Sequence, residues 1–425
     1  MAEDLYKQGL KPTLSLWDAT AISIGAIVGA GIYVVTGIAV GFAGPALIVS
    51  MLLAAAISML TAMSFAELTA WKPIEGSIYE YTYQLISPLA GFLTGWMWVI
   101  SNTFAGAAVS LGFASYLCAL FPALPPNVVA AVFCFLFTAL NFLGIRQSAL
   151  LNNVLVAAKL SILGFFVIYG FFYMNPSNFA SFNLFQVGVL SGAFYIFFAY
   201  GGFARVAVVA EEVKDAKRNV PRAIMLSLAI STAVYILVGF VAVGLIEASR
   251  LAKSNSPLAE AISVTGNSLA VYTVSAGGLI ATASVLLTAI LGVSRMAYAM
   301  ARRKDLPQAL SRLHPKYNTP YLAIWIVGAI MILLVLFVDI SRVVAISNFA
   351  LLFYYTLANV SALRLKAHNR IYPKIVSVLG ATSCMALLIF TFYALPQAWI
   401  IGVATLAAGI IYYWLKSLSL RHIAH

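Results

Sequence analysis

Apolar residues run along this chain in long stretches, with polar and turn-forming residues gathered between them. A helix needs about 20 mostly apolar residues to cross the hydrocarbon layer of a bilayer. Twelve stretches meet that need: 14–41, 45–70, 88–121, 126–145, 150–174, 187–209, 222–247, 270–300, 320–338, 341–363, 374–394 and 396–415. Breaker residues stand at the joints, among them Gly44-Pro45, Pro122 to Pro126, Asn175-Pro176, Thr319-Pro320 and Leu395-Pro396. Membrane strands would be shorter and would alternate apolar with polar positions, a pattern not seen here. The pattern predicts an all-α integral membrane protein.

Composition agrees. Of the 425 residues, 63% are apolar and 9% charged, against roughly 25% charged in a soluble globular protein. So few charges cannot cover a soluble surface, which excludes a cytosolic enzyme, a nucleic-acid binder and a secreted module. Cys118, Cys134 and Cys384 lie in apolar stretches without CxxC spacing, so neither a disulfide framework nor a metal site is expected. The first twenty residues lack a basic region followed by a short apolar core, and the first apolar run is expected to stay in the protein.

The net charge of +12 takes its meaning from topology. Lys and Arg favour the cytoplasmic connections. With the N-terminus inside, the outer connections hold only Arg250, Lys253 and Arg342, and Lys159 lies within a helix. That assigns 21 of the 25 basic residues to the inner side, Arg205 and Arg295 included. Both termini are expected in the cytoplasm, with the basic excess meeting anionic lipid headgroups.

Two spans carry glycine where a membrane helix should be strongest. The first holds Gly25-Ala26-Ile27-Val28-Gly29-Ala30-Gly31; the sixth holds Phe197-Phe198-Ala199-Tyr200-Gly201-Gly202. Close helix packing alone accounts for such spacing. Their placement five spans apart, in helices of opposite direction, adds a second reading. Glycine-interrupted segments at matching places in two inverted halves mark a transporter's midplane site. Backbone groups freed by unwinding must face a polar ligand or cavity. A half-helix N-terminus attracts a carboxylate, and freed carbonyls accept from an ammonium.

Four motifs follow in order. They are the first-span glycine segment continuing to Ile32; Pro73-Ile74-Glu75-Gly76-Ser77-Ile78-Tyr79; Glu211-Glu212-Val213-Lys214 with Asn219-Val220-Pro221-Arg222-Ala223-Ile224; and Ser294-Arg295 through Ala301-Arg302, Leu306-Pro307, His314-Pro315 and Thr319-Pro320. In these the sequence resembles the amino acid–polyamine–organocation transporters, and most closely the ApcT-type, proton-coupled, broad-specificity branch. The resemblance implies twelve transmembrane helices: a five-plus-five inverted repeat with helices 1 and 6 unwound at mid-membrane, plus two C-terminal helices. The organisation would be a short N-terminus (1–13), a first repeat (14–174), a second repeat (175–363), two further spans (374–415) and a tail (416–425). It further implies that the substrate carboxylate meets amides around Ala30 and Gly31, and the ammonium meets carbonyls of Ile27, Phe198 and Gly201. The Phe198 ring would close over the substrate, and Asn102 would line the site. Some exchangers of cationic amino acids carry an acidic residue where this chain has Phe203-Ala204, a departure that favours neutral substrates.

Lys159 is the exceptional charge. A lysine at the centre of a membrane helix costs about 2.5–3.5 kcal/mol. One reading lets it snorkel to the inner interface; Ala157 and Ala158 beside it suit a packed environment. The resemblance implies that Lys159 occupies the place of a cation site between spans one, five and eight, near the carbonyls of Gly25 and Val28 and the hydroxyl of Ser284. Burial disfavours the charged form of a lysine, so one alternately wet and dry is a candidate proton carrier.

Other groups carry less. Asp18 and Glu67 titrate during transport or simply cap at the interface; Asp339 and Arg342 read as a surface pair. Glu211 and Glu212 are expected to pair within a basic connection. Trp96 and Trp98 stand near the site, and the histidines all fall in connections or the tail. No HExxH or P-loop pattern occurs, so a membrane enzyme and a nucleotide-driven pump are disfavoured. A channel would need a lined pore, for which no repeated polar motif is present. The leading expectation is a proton-coupled symporter of neutral amino acids, with an exchanger of the same family behind it and a sodium-coupled symporter third. No cofactor, metal, nucleic acid or protein partner is expected; the partners are the amino acid, the proton and lipid.

Overall fold

The computed structural model describes residues 12–73, 77–144, 149–366 and 370–423. Ile74 to Gly76 of the second motif, and His368 and His425, lie outside them. Twelve apolar helices follow the twelve stretches. Helix α1 is split into α1a (Leu16–Ile27) and a continuation, α1b, that opens as a π-helix (Gly31–Val35) and runs on through Thr36–Ala43. Helices α2 (Leu47–Trp71), α3 (Pro88–Leu120), α4 (Pro126–Phe142) and α5 (Ala149–Phe171) follow. Helix α6 is likewise split, into α6a (Gly188–Tyr200) and a 3-10 half, α6b (Phe203–Glu212). The chain continues through α7 (Ala216–Leu245), α8 (Ser268–Arg302), α9 (Tyr321–Phe337) and α10 (Ile340–Arg364). It ends with α11 (Lys374–Ala394) and α12 (Pro396–Ile423).

Two boundaries differ from the hydropathy reading by more than three residues. Helix α7 starts at Ala216 rather than 222, and α12 runs on to Ile423. In both cases charged residues extend the helix beyond its apolar part, where backbone pairing no longer depends on lipid. Helices α4 and α9 have 17 residues each, about 25 Å of helix. They are the shortest unbroken spans described, and they pack against one another.

The packing has a two-fold logic. Helices five apart pair directly: α1 with α6, α2 with α7, α3 with α8, α4 with α9. The other main contacts exchange when each helix is replaced by the one five places along. Thus α1 on α7 corresponds to α6 on α2, α1 on α5 to α6 on α10, and α5 on α8 to α10 on α3. Helices α11 and α12 lie outside this scheme, α11 against α2 and α10, α12 against α3 and α10. Such an arrangement buries the two split helices against each other at the centre. The 246–267 connection folds into two short helices, Ala248–Lys253 and Pro257–Ser263, which cover α1b at Gly37.

Candidate functional site

Helix α1a begins with a capping box. Ser15 N–H donates to Asp18 Oδ2 at 2.9 Å, and Asp18 N–H returns a bond to Ser15 Oγ at 3.2 Å. Asn153 on α5 donates to the other carboxylate oxygen at 2.7 Å. Asp18 is therefore held as a cap. The helix ends where Val28 turns to an extended ψ of 96°, its N–H still bonded to Ile24 O. The first amides of the following helix have no intrahelical acceptor, as at any helix start. In α6 the break is Gly201-Gly202, between an α-helical and a 3-10 half.

The two breaks touch. A Cβ on Gly31 would overlap Ala199, and one on Gly202 would overlap the backbone of Ala26 and Ile27. Glycine thus serves close approach as well as interruption. Tyr235 of α7 pins the crossing, its buried hydroxyl donating to Ile27 O at 2.8 Å and lying 3.2 Å from Ala199 O. Tyr355 of α10 donates to Gly201 O at 3.1 Å, and Gly201 N–H to Phe198 O at 3.2 Å. All three carbonyls expected to meet an ammonium therefore already accept one bond. Each carbonyl oxygen keeps a second lone pair.

Around the breaks lies a cavity of about 50 Å³, room for on the order of four waters. Its wall takes Ile27, Gly29 and Ala30 from α1, Ser101 and Asn102 from α3, Phe198 and Gly201 from α6, and Ser347 and Tyr354 from α10. Gly31 stands outside that wall, against Ala199. Ser101 and Ser347 exchange hydroxyl-to-carbonyl bonds of 2.9 and 2.8 Å, locking α3 to α10. Asn102 Nδ2 donates to Trp98 O at 3.0 Å.

A second space of about 220 Å³ adjoins the first and shares Ala26, Asn102 and Arg205 with it. It reaches Leu14 at the start of α1 and Glu212 at the end of α6b, so it forms a vestibule on the side of the N-terminal segment. At that end the two inner half-helices are joined through the backbone. Leu14 N–H donates to Glu212 O, and Lys214 N–H to Leu14 O, both at 2.9 Å. Trp98 lines the vestibule, whereas Trp96 turns to α12 and donates to Thr405 O at 2.9 Å.

Lys159 is fully buried. Its Nζ donates to Gly25 O and Val28 O, both at 3.0 Å, so α5 supplies a cation to the end of α1a. Those carbonyls belong to the helix C-terminus, the negative end of its dipole. The hydroxyl of Ser284 donates to Ala281 O at 3.0 Å within α8, and its side chain faces the vestibule. The structure thus groups Lys159 with Gly25 and Val28, and gives Ser284 a partner within its own helix. Glu67 receives the amides of Ile371 and Tyr372 at 2.9 and 3.0 Å, and Asp339 and Arg342 form an exposed pair at 3.0 Å.

Two site residues escape the sequence reading. By charge distribution Arg205 belongs with the inner-side cations, yet it lines both spaces, with its Nη1 donating to Thr288 Oγ1. Its nearness to Gly201-Gly202 was the available signal. Tyr235 gave none, being one tyrosine in an apolar helix.

Comparison with known proteins places this geometry in context. The amino acid permease family matches residues 14–417. An uncharacterized transporter of Mycobacterium tuberculosis (strain H37Rv) is 35% identical over 97% of this chain and 93% of its own. The methylthioribose transporter of Bacillus subtilis is 31% identical, over 96% and 94%. The branched-chain amino acid permease BcaP of the same organism is 30% identical, over 97% and 94%.

Proposed function

The chain belongs to the amino acid permease family, a branch of the amino acid–polyamine–organocation transporters, and on that premise we propose that it is a proton-coupled importer of L-amino acids. It works by alternating access across the cell membrane, with both termini in the cytoplasm. Its substrates are neutral rather than cationic and broad in range, since recognition rests on backbone groups at the two breaks. Relatives named for methylthioribose and for branched-chain amino acids show how far substrates diverge around one framework.

Lys159 carries the reading. A buried ammonium bonded to Gly25 and Val28 braces α5 against the end of α1a. Loss of its proton would remove the charge that both carbonyls favour and leave one fewer donor. Helix α1a would then be less firmly held to α5. The protonated brace belongs to loading, the deprotonated one to release, so each cycle moves one proton with substrate. The reading needs no sodium, since the Lys159 ammonium itself bridges α5 and the end of α1a.

Uptake of labelled alanine into proteoliposomes, with and without an inward proton gradient, tests this. Wild-type protein should accumulate alanine only with the gradient, independently of sodium. Lys159→Ala should elute as a folded monodisperse species and lose gradient-driven accumulation. Accumulation by that variant at the wild-type level would remove Lys159 from the coupling step.

A further inference from the structure

Arg205 is the one basic residue, among those described, that lines both the central cavity and the vestibule. It lies in the first turn of α6b, just past the Gly201-Gly202 break. Thr288 takes one of its donors, whereas a guanidinium has five, arranged in a planar fork that matches a carboxylate. Among the described residues Arg205 enters no ion pair. The cavity wall contains no carboxylate, and the vestibule has only Glu212, at the other end of α6b. Seven positions separate the two, with a kink at Val209 between them. Arg205 is only partly buried, and the fully buried Lys159 adds a second cation nearby. A partly desolvated cation with no counter-charge is costly, and an anionic ligand group on the guanidinium lowers that cost.

An amino acid's own carboxylate and ammonium are met by backbone groups of α1 and α6, leaving Arg205 for the far end of the substrate. The central cavity is small, and the vestibule across the boundary that Ala26, Asn102 and Arg205 share gives room for a longer side chain. Resting on the reading of this cavity as an amino-acid site, we propose that Arg205 is a specificity residue. It receives a side-chain carboxylate and extends the substrate range to dicarboxylic amino acids such as glutamate. The same charge repels lysine and arginine as substrates.

The test measures KM for labelled glutamate and alanine in proteoliposomes under an inward proton gradient. Arg205→Gln should raise the glutamate-to-alanine KM ratio by about tenfold to a hundredfold, the range for losing a hydrogen bond to a charged group. Arg205→Lys should restore part of that loss. A second measurement needs no variant: the γ-methyl ester of glutamate should compete at least about tenfold more weakly than glutamate itself. Three results overturn the proposal while leaving the transport reading intact: alanine uptake without glutamate uptake, equal competition by the ester, or an unchanged KM ratio in Arg205→Gln. Absence of amino-acid uptake under every gradient would instead refute the transport reading, and this inference with it.

Discussion

Placing a methyl group at the crossing of the two breaks isolates what the glycines do. Gly202 has φ −81°, open to any residue, so Gly202→Ala adds no backbone strain. The new Cβ would lie 2.6 Å from Ile27 N and closer still to the Ala26 carbonyl group. Ordinary carbon contact begins near 3.5 Å, so the halves of α1 and α6 must part by on the order of 1 Å. Overpacking of this kind costs about 1–3 kcal/mol. The parting also stretches the contact of the single Tyr235 O–H with Ile27 O and Ala199 O, now 2.8 and 3.2 Å. That one hydrogen bond is worth about 0.5–1.5 kcal/mol, bringing the total to about 1.5–4.5 kcal/mol. Gly31→Ala, against Ala199, should behave alike. The control is Gly164→Ala on α5, where a Cβ meets nothing within 4 Å; it should be neutral or stabilising by up to about 1 kcal/mol. Thermal melting of the detergent-solubilised protein, followed by tryptophan fluorescence, ranks the three variants. If Gly202→Ala melts like the wild type, or Gly164→Ala falls as far as Gly202→Ala, the two breaks do not pack as closely as these contacts require.

Two further expectations follow from polar contacts outside the cavity. Glu67→Gln should preserve proton-driven uptake while lowering stability by about 1 kcal/mol, because Glu67 caps the amides of Ile371 and Tyr372; loss of coupling with intact folding would return it to the proton path. Asp305, just past the end of α8, accepts from Tyr79 of the short helix Ser77–Leu85 at 2.5 Å and from Lys416 of α12 at 2.7 Å. A double-mutant cycle of Tyr79→Phe and Asp305→Asn, read by melting, should give a coupling of at least about 0.5 kcal/mol, and additive effects would dissolve the link.

Much of this molecule is written locally. Partition into lipid depends on how many consecutive residues are apolar, and such runs are visible one segment at a time. The twelve spans, the two glycine breaks and the anomaly of Lys159 therefore follow from the amino-acid sequence, as does the excess of Lys and Arg in alternate connections. Pairings between distant segments depend on which faces meet, and no run of residues reports that. Lys159 reaches Gly25 across 134 positions, and Tyr235 reaches Ile27 across 208. Arg205 shows the difference most clearly. Counted along the chain it belongs with the inner-side charges, whereas in three dimensions it stands on the cavity wall between two spaces. Sequence marked the two glycine breaks as a candidate polar site, because backbone unwound in a membrane must be satisfied. Only the tertiary packing decided which carbonyls Tyr235, Tyr355 and Lys159 occupy, and which cation faces the space left over.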